Sequence, residues 1–333
     1  MQRKKNNSNT AIFFFARPYV YAAIFSVLLT AAFIFTLLDA FVIPRALQTV
    51  PQIGEMPTSS AAERSGTAGT GESKPSGAPD KNDATDDRAP APPEITAASY
   101  KDENIEITIE AIREYGTDIY IADIRVSSAG YLKTAFAENT FGRNINARTS
   151  VIAAEQNAIF AVNGDYCGFR DEGWVLRNGV LYRLGESDFA LLMDAAGDLS
   201  CESDADSIEE QLSNLWQIWS FGPALILNGE ISVTEKQEIS GRSSVSNPRT
   251  AIGQTGELHY IVIVSDGRTT TSAGLSLYEL AVLFGKYGCS VAYNLDGGGS
   301  SVMYFNGRIV NNPTTGGRRA GEREVSDIVY IGY

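Results

Sequence analysis

The run Asn294-Leu295-Asp296-Gly297-Gly298-Gly299-Ser300-Ser301 gathers a carboxylate, three consecutive glycines and two hydroxyls. Residues Ser290 to Asn294 before it and Val302 to Phe305 after it read as strands, so Asp296 stands at a strand's carboxyl end. Glycines let main-chain N–H groups and a ligand approach closely. A carboxylate, open backbone donors and hydroxyls in one loop make a polar-ligand site. The spacing fits a plain glycine turn capped by Asp296 equally well.

A second polar loop, Asn163-Gly164-Asp165-Tyr166, ends the apolar run Ala158 to Val162. The other Asn-Gly pairs, Asn178-Gly179, Asn228-Gly229 and Asn306-Gly307, are flanked by strand pattern and read as two-residue hairpin turns. Asn163-Gly164 is followed by Asp165-Tyr166-Cys167-Gly168-Phe169-Arg170, which does not alternate like a returning strand, so this loop is a candidate to meet the Asp296 loop. Asp165 and Asp296 could act as a glycosidase pair, which needs a separation of ~5–5.5 Å for retention or ~6.5–9.5 Å for inversion. Around them stand Asp266, Arg268 and Arg249, with Arg318, Arg319 and Arg323 in the glycine-rich stretch before the last strand, Val325 to Ile331. Arginine holds phosphate or carboxylate bidentately and suits an anionic ligand. Solvated ion pairing accounts better for Arg318 and Arg319.

The elements that must position these groups are strands first. Ile105, Ile107 and Ile109 alternate with polar residues, Tyr115-Gly116-Thr117-Asp118 turns, and Ile119 to Val126 returns. A short helix is expected over Arg148 to Gln156, capped by Thr149 or Ser150. Ser207 with Glu210 predicts a helix to about Trp219, with Ile208, Leu212, Leu215 and Trp216 on one face. Ser276 with Glu279 predicts another ending near Gly288 and burying Leu277, Leu280, Ala281 and Phe284. Strand, helix, strand from Ile261 to Asn294 reads as a βαβ unit. The fold class is α+β, a mixed β-sheet domain with several hairpins and two or three packed helices.

The chain's ends of charge and hydropathy set its organisation. No charged residue lies between Arg17 and Asp39, and an apolar run of that length spans a ~30 Å hydrocarbon core. Arg3, Lys4, Lys5 and Arg17 precede it, which keeps residues 1–17 in the cytoplasm, makes residues 18–43 a transmembrane signal-anchor and sends the rest outside. A cleavable signal peptide is the alternative, disfavoured by the length of the run. Residues 44–95, rich in Ser, Thr, Gly, Ala, Pro, Asp, Glu and Lys, read as a disordered linker. Residues 96–333 then form one extracytoplasmic domain on a single-pass anchor in the cell membrane.

The formal net charge is −13, and the basic residues ahead of the span leave the rest more acidic still, which argues against nucleic acid and against lying flat on anionic lipid. Cys167, Cys201 and Cys289 have no metal-type spacing; one disulfide and a free thiol would suit an exported domain. His259, the one histidine, sits in strand pattern, so a zinc site and a His-based triad lose support.

Five motifs stand in order along the chain: Phe160-Ala161-Val162-Asn163-Gly164-Asp165-Tyr166, Phe221-Gly222-Pro223-Ala224-Leu225, Pro248-Arg249-Thr250-Ala251-Ile252-Gly253, Asp266-Gly267-Arg268 with Gly274-Leu275-Ser276, and the Asp296 loop. Together they resemble the phosphodiester glycosidase family. Arg323-Glu324-Val325-Ser326-Asp327 is similar to the family's closing motif, and the likeness covers most of Ile152 to Tyr333. It departs at Asp165, where many members carry a small or aromatic residue. The resemblance implies hydrolysis of a sugar-1-phosphodiester at the C1–O bond, and the cell-surface address suggests cell-wall or exopolysaccharide metabolism. Asp296, Asp165 and Asn163 are then the expected catalytic residues. Arg249, Arg323, Gly297, Gly298, Gly299, Ser300, Ser301, Asp266 and Arg268 are expected on substrate and phosphate. The expected partners are a phosphodiester-linked glycan and, through the N-terminal helix, the membrane. No cofactor is expected. The rivals are a metal-dependent phosphodiesterase holding Mg²⁺ or Ca²⁺ on Asp165, Asp266 and Asp296, and a non-catalytic polysaccharide-binding or assembly module.

Overall fold

The structure, a computed structural model, describes residues 8–49, 92–185, 189–236, 245–317 and 319–333. Arg318 and residues 50–91, the body of the expected linker, lie outside the described residues. The domain is α+β, and every strand pairing among the described residues is antiparallel.

A nine-stranded sheet forms the backbone of the domain. Its order runs Glu230–Ile231, Ala224–Leu227, Val291–Asn294, Arg249–Gly256, His259–Ser265, Thr117–Val126, Ile105–Glu114, Ser99–Lys101 and Glu94–Ile95. Alternation decides its two faces. Ile261, Ile263 and Ala251 point to the helix Leu277–Lys286, while Tyr260, Val262 and Val264 point to the central core. The central core is completed by two five-stranded sheets. One runs Arg308–Ile309, Met303–Phe305, Phe160–Asn163, Asp327–Ile331, Leu132–Phe136, and the other is built around Leu215–Trp219 and Ala190–Asp194.

The helix Leu277–Lys286 has the expected capping box, with Ser276 and Glu279 bonded reciprocally, and buries Leu277, Leu280, Ala281 and Phe284. Full burial of each large apolar side chain there contributes roughly 1.5–3 kcal/mol. It connects two strands that run parallel with Arg249–Gly256 between them, so the expected βαβ unit is present as a split one. All three hairpin turns form, with positive φ at both residues of each Asn-Gly pair.

Three expectations need correction. The helix near residue 207 spans only Ala205–Gln211 and is capped by Asp204. Leu215 and Trp216 belong instead to the strand Leu215–Trp219. That strand is buried on both faces, so its apolar run carries no period that separates strand from helix. The helix Thr149–Glu155 has no cap from Thr149 or Ser150. The Glu322 carboxylate reaches its first turn from a distant loop, accepting from Ser150 N at 3.0 Å and from the Ser150 hydroxyl. All three cysteines are free thiols, so the one disulfide that an exported domain could carry does not form.

At the N-terminus a helix spans Ser8–Phe41, and its Tyr19–Phe41 stretch is long and apolar enough to cross a membrane, as an anchor or as a signal sequence. The expected linker, 44–95, is ordered at both edges. Glu94–Ile95 extends the large sheet, and Arg45–Thr49 pairs with Thr140–Arg143.

Candidate active site

The Asp296 loop is held from three sides. Leu295 N donates to the Thr250 carbonyl at 2.9 Å, Asp296 N to the Gly164 carbonyl at 3.2 Å, and Gly298 N to the Pro248 carbonyl at 2.8 Å. The two polar loops therefore meet. Asn163 is the bolt between them. Its amide donates to the Asp296 carbonyl at 2.6 Å, and its oxygen accepts from the Thr250 hydroxyl at 2.7 Å. With its side chain fully inside, it orients the loop and has no open face for a sugar.

Each glycine has its own reason. A Cβ at Gly297 would lie 2.8 Å from the Pro248 carbonyl, at Gly298 3.2 Å from the Arg268 guanidinium, and at Gly299 3.3 Å from Arg323 Cβ. Gly298 also has φ +66°, which L side chains rarely adopt. Gly298 and Gly299 lie under Arg268 and Arg323, while Gly297 passes against the Pro248 carbonyl.

Asp296 is 8 % exposed. One of its oxygens accepts from Gly297 N at 2.8 Å and the other from Arg323 Nη2 at 2.9 Å. Burial raises its pKa above the ordinary carboxylate value, and the Arg323 charge opposes that rise. Arg323, with 41 % of its side chain exposed, also bonds the Ser300 hydroxyl through Nε and Nη2, at 2.9 and 2.7 Å. It is placed by Arg323 N donating to the Gly299 carbonyl at 3.1 Å, one residue beyond the Glu322 contact to the helix. Arg319, in contrast, lies exposed in the short Arg319–Ala320 strand.

Arg249 is almost buried. Nε donates to the Leu275 carbonyl at 3.0 Å and Nη2 to the Val245 carbonyl at 3.3 Å. Arg268 Nε donates to Asn247 Oδ1 at 2.9 Å. Among the described residues neither guanidinium has an ion pair. Burial and the neighbouring Arg268 charge bring the Arg249 pKa down to about 10. Two guanidinium groups near one another without a carboxylate are an anion-binding arrangement, whereas the loop's N–H groups at Gly297, Gly298, Ser300 and Ser301 are already bonded within the chain. Asn294 Oδ1 and Ser301 Oγ are buried at the loop's two ends without a hydrogen-bond partner among the described residues.

Asp165 and Asp266 are spent elsewhere. Asp165, 1 % exposed, accepts from Ser220 N at 2.8 Å and pairs with Arg177 Nη2 at 2.9 Å. The same guanidinium holds Asp327 at 3.1 Å, so one buried arginine serves two carboxylates. Burial and the Asp165 charge push Asp327 up to about 6. Asp165, Asp327 and Cys167 offer ligand atoms within 4.8 Å of one another, yet Arg177 already supplies the cation there, and burial pushes the Cys167 thiol well up, away from the thiolate a metal needs. Asp266 accepts from Asn312 N at 2.9 Å and from the amides of Asn311 and Asn312. Asn311 in turn donates to the Ser301 carbonyl at 3.0 Å, so Asp266 braces the end of the reactive loop. The structure thus gives Asp165, Asp266 and Asp296 three separate sets of partners, and among the described residues no side chain joins the Asp165 carboxylate to that of Asp296.

Arg177, Ser220, Asn311, Asn312 and Glu322 were not legible as site residues. Thr250 and Asp327 among the supporting groups had a signal, as members of the motifs quoted above.

The model of the phosphodiester glycosidase family matches residues 156–332, more than half of the chain. The chain belongs to the phosphodiester glycosidase family. Every group in the site described above, from Asn163 to Asp327, falls inside that match. A prophage-derived uncharacterized protein of Bacillus subtilis, YomE, is 29 % identical over 214 residues, covering 58 % of this chain and 31 % of that protein. The mouse N-acetylglucosamine-1-phosphodiester alpha-N-acetylglucosaminidase is 35 % identical over 101 residues, covering 27 % and 19 %. The chain thus spans about a third or less of the length of these relatives. The zebrafish catalytic domain of the enzyme of that name, auto-inhibited by its pro-peptide, has the same fold, with a TM-score of 0.57, 22 % identity, and coverage of 69 % of this chain and 83 % of its own.

Proposed function

We propose that this phosphodiester glycosidase domain works outside the cytoplasm and hydrolyses a sugar-1-phosphodiester at the C1–O bond, in the turnover of cell-wall or exopolysaccharide phosphodiesters. The observation that carries this is the placing of one ionisable carboxylate, Asp296, on a glycine loop crowned by Arg323 and Arg268, with Arg249 behind. Phosphate is already a fair leaving group once its charge is held, so the protein's task is to bind that charge and to stabilise the oxocarbenium-like centre. Arg268 and Arg249, without a carboxylate partner among the described residues, grip the phosphate. Arg323 spans phosphate and Asp296. The ionised Asp296 faces C1 as nucleophile, general base or electrostatic stabiliser. Asn163 and Asp266 act through position by holding the loop, Asp165 by fixing the buried Arg177 cluster beside it, and none meets the sugar.

The test is turnover of a panel of sugar-1-phosphodiesters by the full chain in detergent, wild type against Asp296→Asn. Loss of turnover with an unchanged melting temperature supports the assignment. A near-normal rate removes Asp296 from the mechanism. Glycan binding without turnover in the wild type, indifferent to Asp296→Asn, moves the reading to a binding or assembly module.

A further inference from the structure

The stretch after the N-terminal helix is received by the domain through a made-to-fit surface. Arg45–Thr49 lies antiparallel on Thr140–Arg143 in the register Arg45 to Arg143, Ala46 to Gly142, Gln48 to Phe141 and Thr49 to Thr140. Gly142 is the residue that admits it. A Cβ there would collide with the Arg45 carbonyl and lie 3.0 Å from Ala46 Cα. Asn144, in the left-handed region at φ 57°, turns its amide to the carbonyls that end the helix, donating to Ile43 O at 3.1 Å and reaching Asp39 O at 3.5 Å. Arg45 closes the corner on Asp39 at 2.7 Å. Cleavage ahead of Arg45, as for a signal peptide, would remove Asp39 and Ile43 and leave Asn144 without them.

On its other side the receiving strand bears on the loop that follows Asp165. The Gly142 carbonyl sits 3.0 Å from where a Cβ of Gly168 would be, and Arg143 ion-pairs with Asp171. Between them Tyr166 and Phe169 stack at 4.4 Å, with Phe169 37 % exposed. Summing chain steps of about 3.8 Å per residue and the two crossings through Gly142, the stack lies at most roughly 35 Å from the end of the helix. Aromatic rings with a polar end or an open face favour the headgroup layer, where such helices emerge. The acidic body has no means of its own to lie on anionic lipid, so the strand supplies the orientation.

We propose that the Arg45–Thr49 strand and Asn144 fasten the domain to the outer face of the bilayer, with Tyr166 and Phe169 at the lipid surface, so that its substrate is a membrane-borne glycosyl phosphodiester. The substrate half rests on the hydrolase reading above; the fastening does not. A tether would let the domain range over the wall, whereas the docked strand holds the Asp296 loop near the headgroups.

The experiment uses the full chain in phospholipid vesicles, with a photoreactive phenylalanine analogue in place of Phe169. The variant carries Gly-Ser-Gly-Ser-Gly over 45–49, preserving length and leaving the domain intact. Lipid adducts are expected with the native strand and about tenfold fewer with the variant, following the loss of effective concentration. In the same vesicles, without the analogue, a lipid-linked sugar-1-phosphodiester should be hydrolysed more slowly by the variant, while a soluble one is hydrolysed equally by both. Equal adducts in the two proteins, or none with the native strand, overturn the fastening. Equal loss on soluble and lipid-linked substrates overturns the substrate half. If neither substrate reacts with either protein, the hydrolase reading and the substrate half fall together, and the adducts still decide the fastening.

Discussion

Two carboxylate–arginine clusters lie on either side of Gly164. Gly164 donates to the Asp327 carbonyl at 2.9 Å and accepts from Asp296 N at 3.2 Å. On the inner side Arg177 serves Asp165 and Asp327, and all three side chains are sealed from water. On the outer side Asp296 and Arg323 make the same kind of contact at the same 2.9 Å as Asp165 and Arg177, but with the guanidinium in reach of solvent. The contact chemistry is alike and the consequences differ. A buried charge pair is held by the cost of leaving any member alone, so it fixes geometry. A pair at the surface can exchange its partner for a ligand, so it can do chemistry. Both Asp165 and Asp296 follow an Asn-containing strand end, and exposure of the paired arginine is what separates their roles.

That contrast can be broken at either end. The largest effect is expected from Asp296→Asn, which should lower turnover by roughly 10³-fold or more, about 4 kcal/mol of transition-state stabilisation, with no change in melting temperature. Kinetics with calorimetry checks it, and equal losses of rate and stability would erase the distinction. Next, Arg177→Met leaves two buried carboxylates uncompensated and should cost about 3–5 kcal/mol by urea unfolding. A change below about 1 kcal/mol would show the inner cluster to be wetter than its burial implies. Arg323→Lys keeps a charge and loses the fork to Asp296 and Ser300. Turnover should fall by about 10–100-fold, with stability changed by no more than about 1 kcal/mol as for other exposed pairs.

A subtler difference lies in pH. In the proposed mechanism Asp296 acts ionised, and burial raises its pKa, so kcat/KM should climb with pH through an acid limb lying above the ordinary ~3.9 of an aspartate. Arg323→Gln removes the opposing charge and should move the limb higher. An unmoved limb would assign it to another group. Asp327 gives the smallest and oppositely directed effect. Its folded pKa, about 6, exceeds the unfolded ~3.9, so the folded state binds the extra proton. Its contribution to stability is present below the unfolded value and is lost as pH rises through about 6. Asp327→Asn should flatten that part of the stability profile, measured by unfolding between pH 4 and 7.

Much of the frame was legible because its signals are local. Asn178-Gly179, Asn228-Gly229 and Asn306-Gly307 demand positive φ at both positions, and the reciprocal bonds of Ser276 and Glu279 need only four residues. The meeting of the Asn163 and Asp296 loops was foreseen from two strand ends that do not return. What failed depends on partners far along the chain. Leu215 and Trp216 took a helical reading because a strand covered on both faces loses its alternation. The start of the expected linker is a strand because Gly142, nearly a hundred residues later, leaves room for it. Asp165 had the residue type and position of a catalytic acid, and only the burial of Arg177 with it shows that its charge is already committed.

The central claim is that the carboxylate on the outer side attacks or supports carbon rather than phosphorus. The most direct measurement is hydrolysis of a sugar-1-phosphodiester by the full chain in ¹⁸O-water, with the products read by mass spectrometry. The account predicts label in the sugar, from C1–O cleavage. Label in the phosphate would mean P–O cleavage and would contradict it.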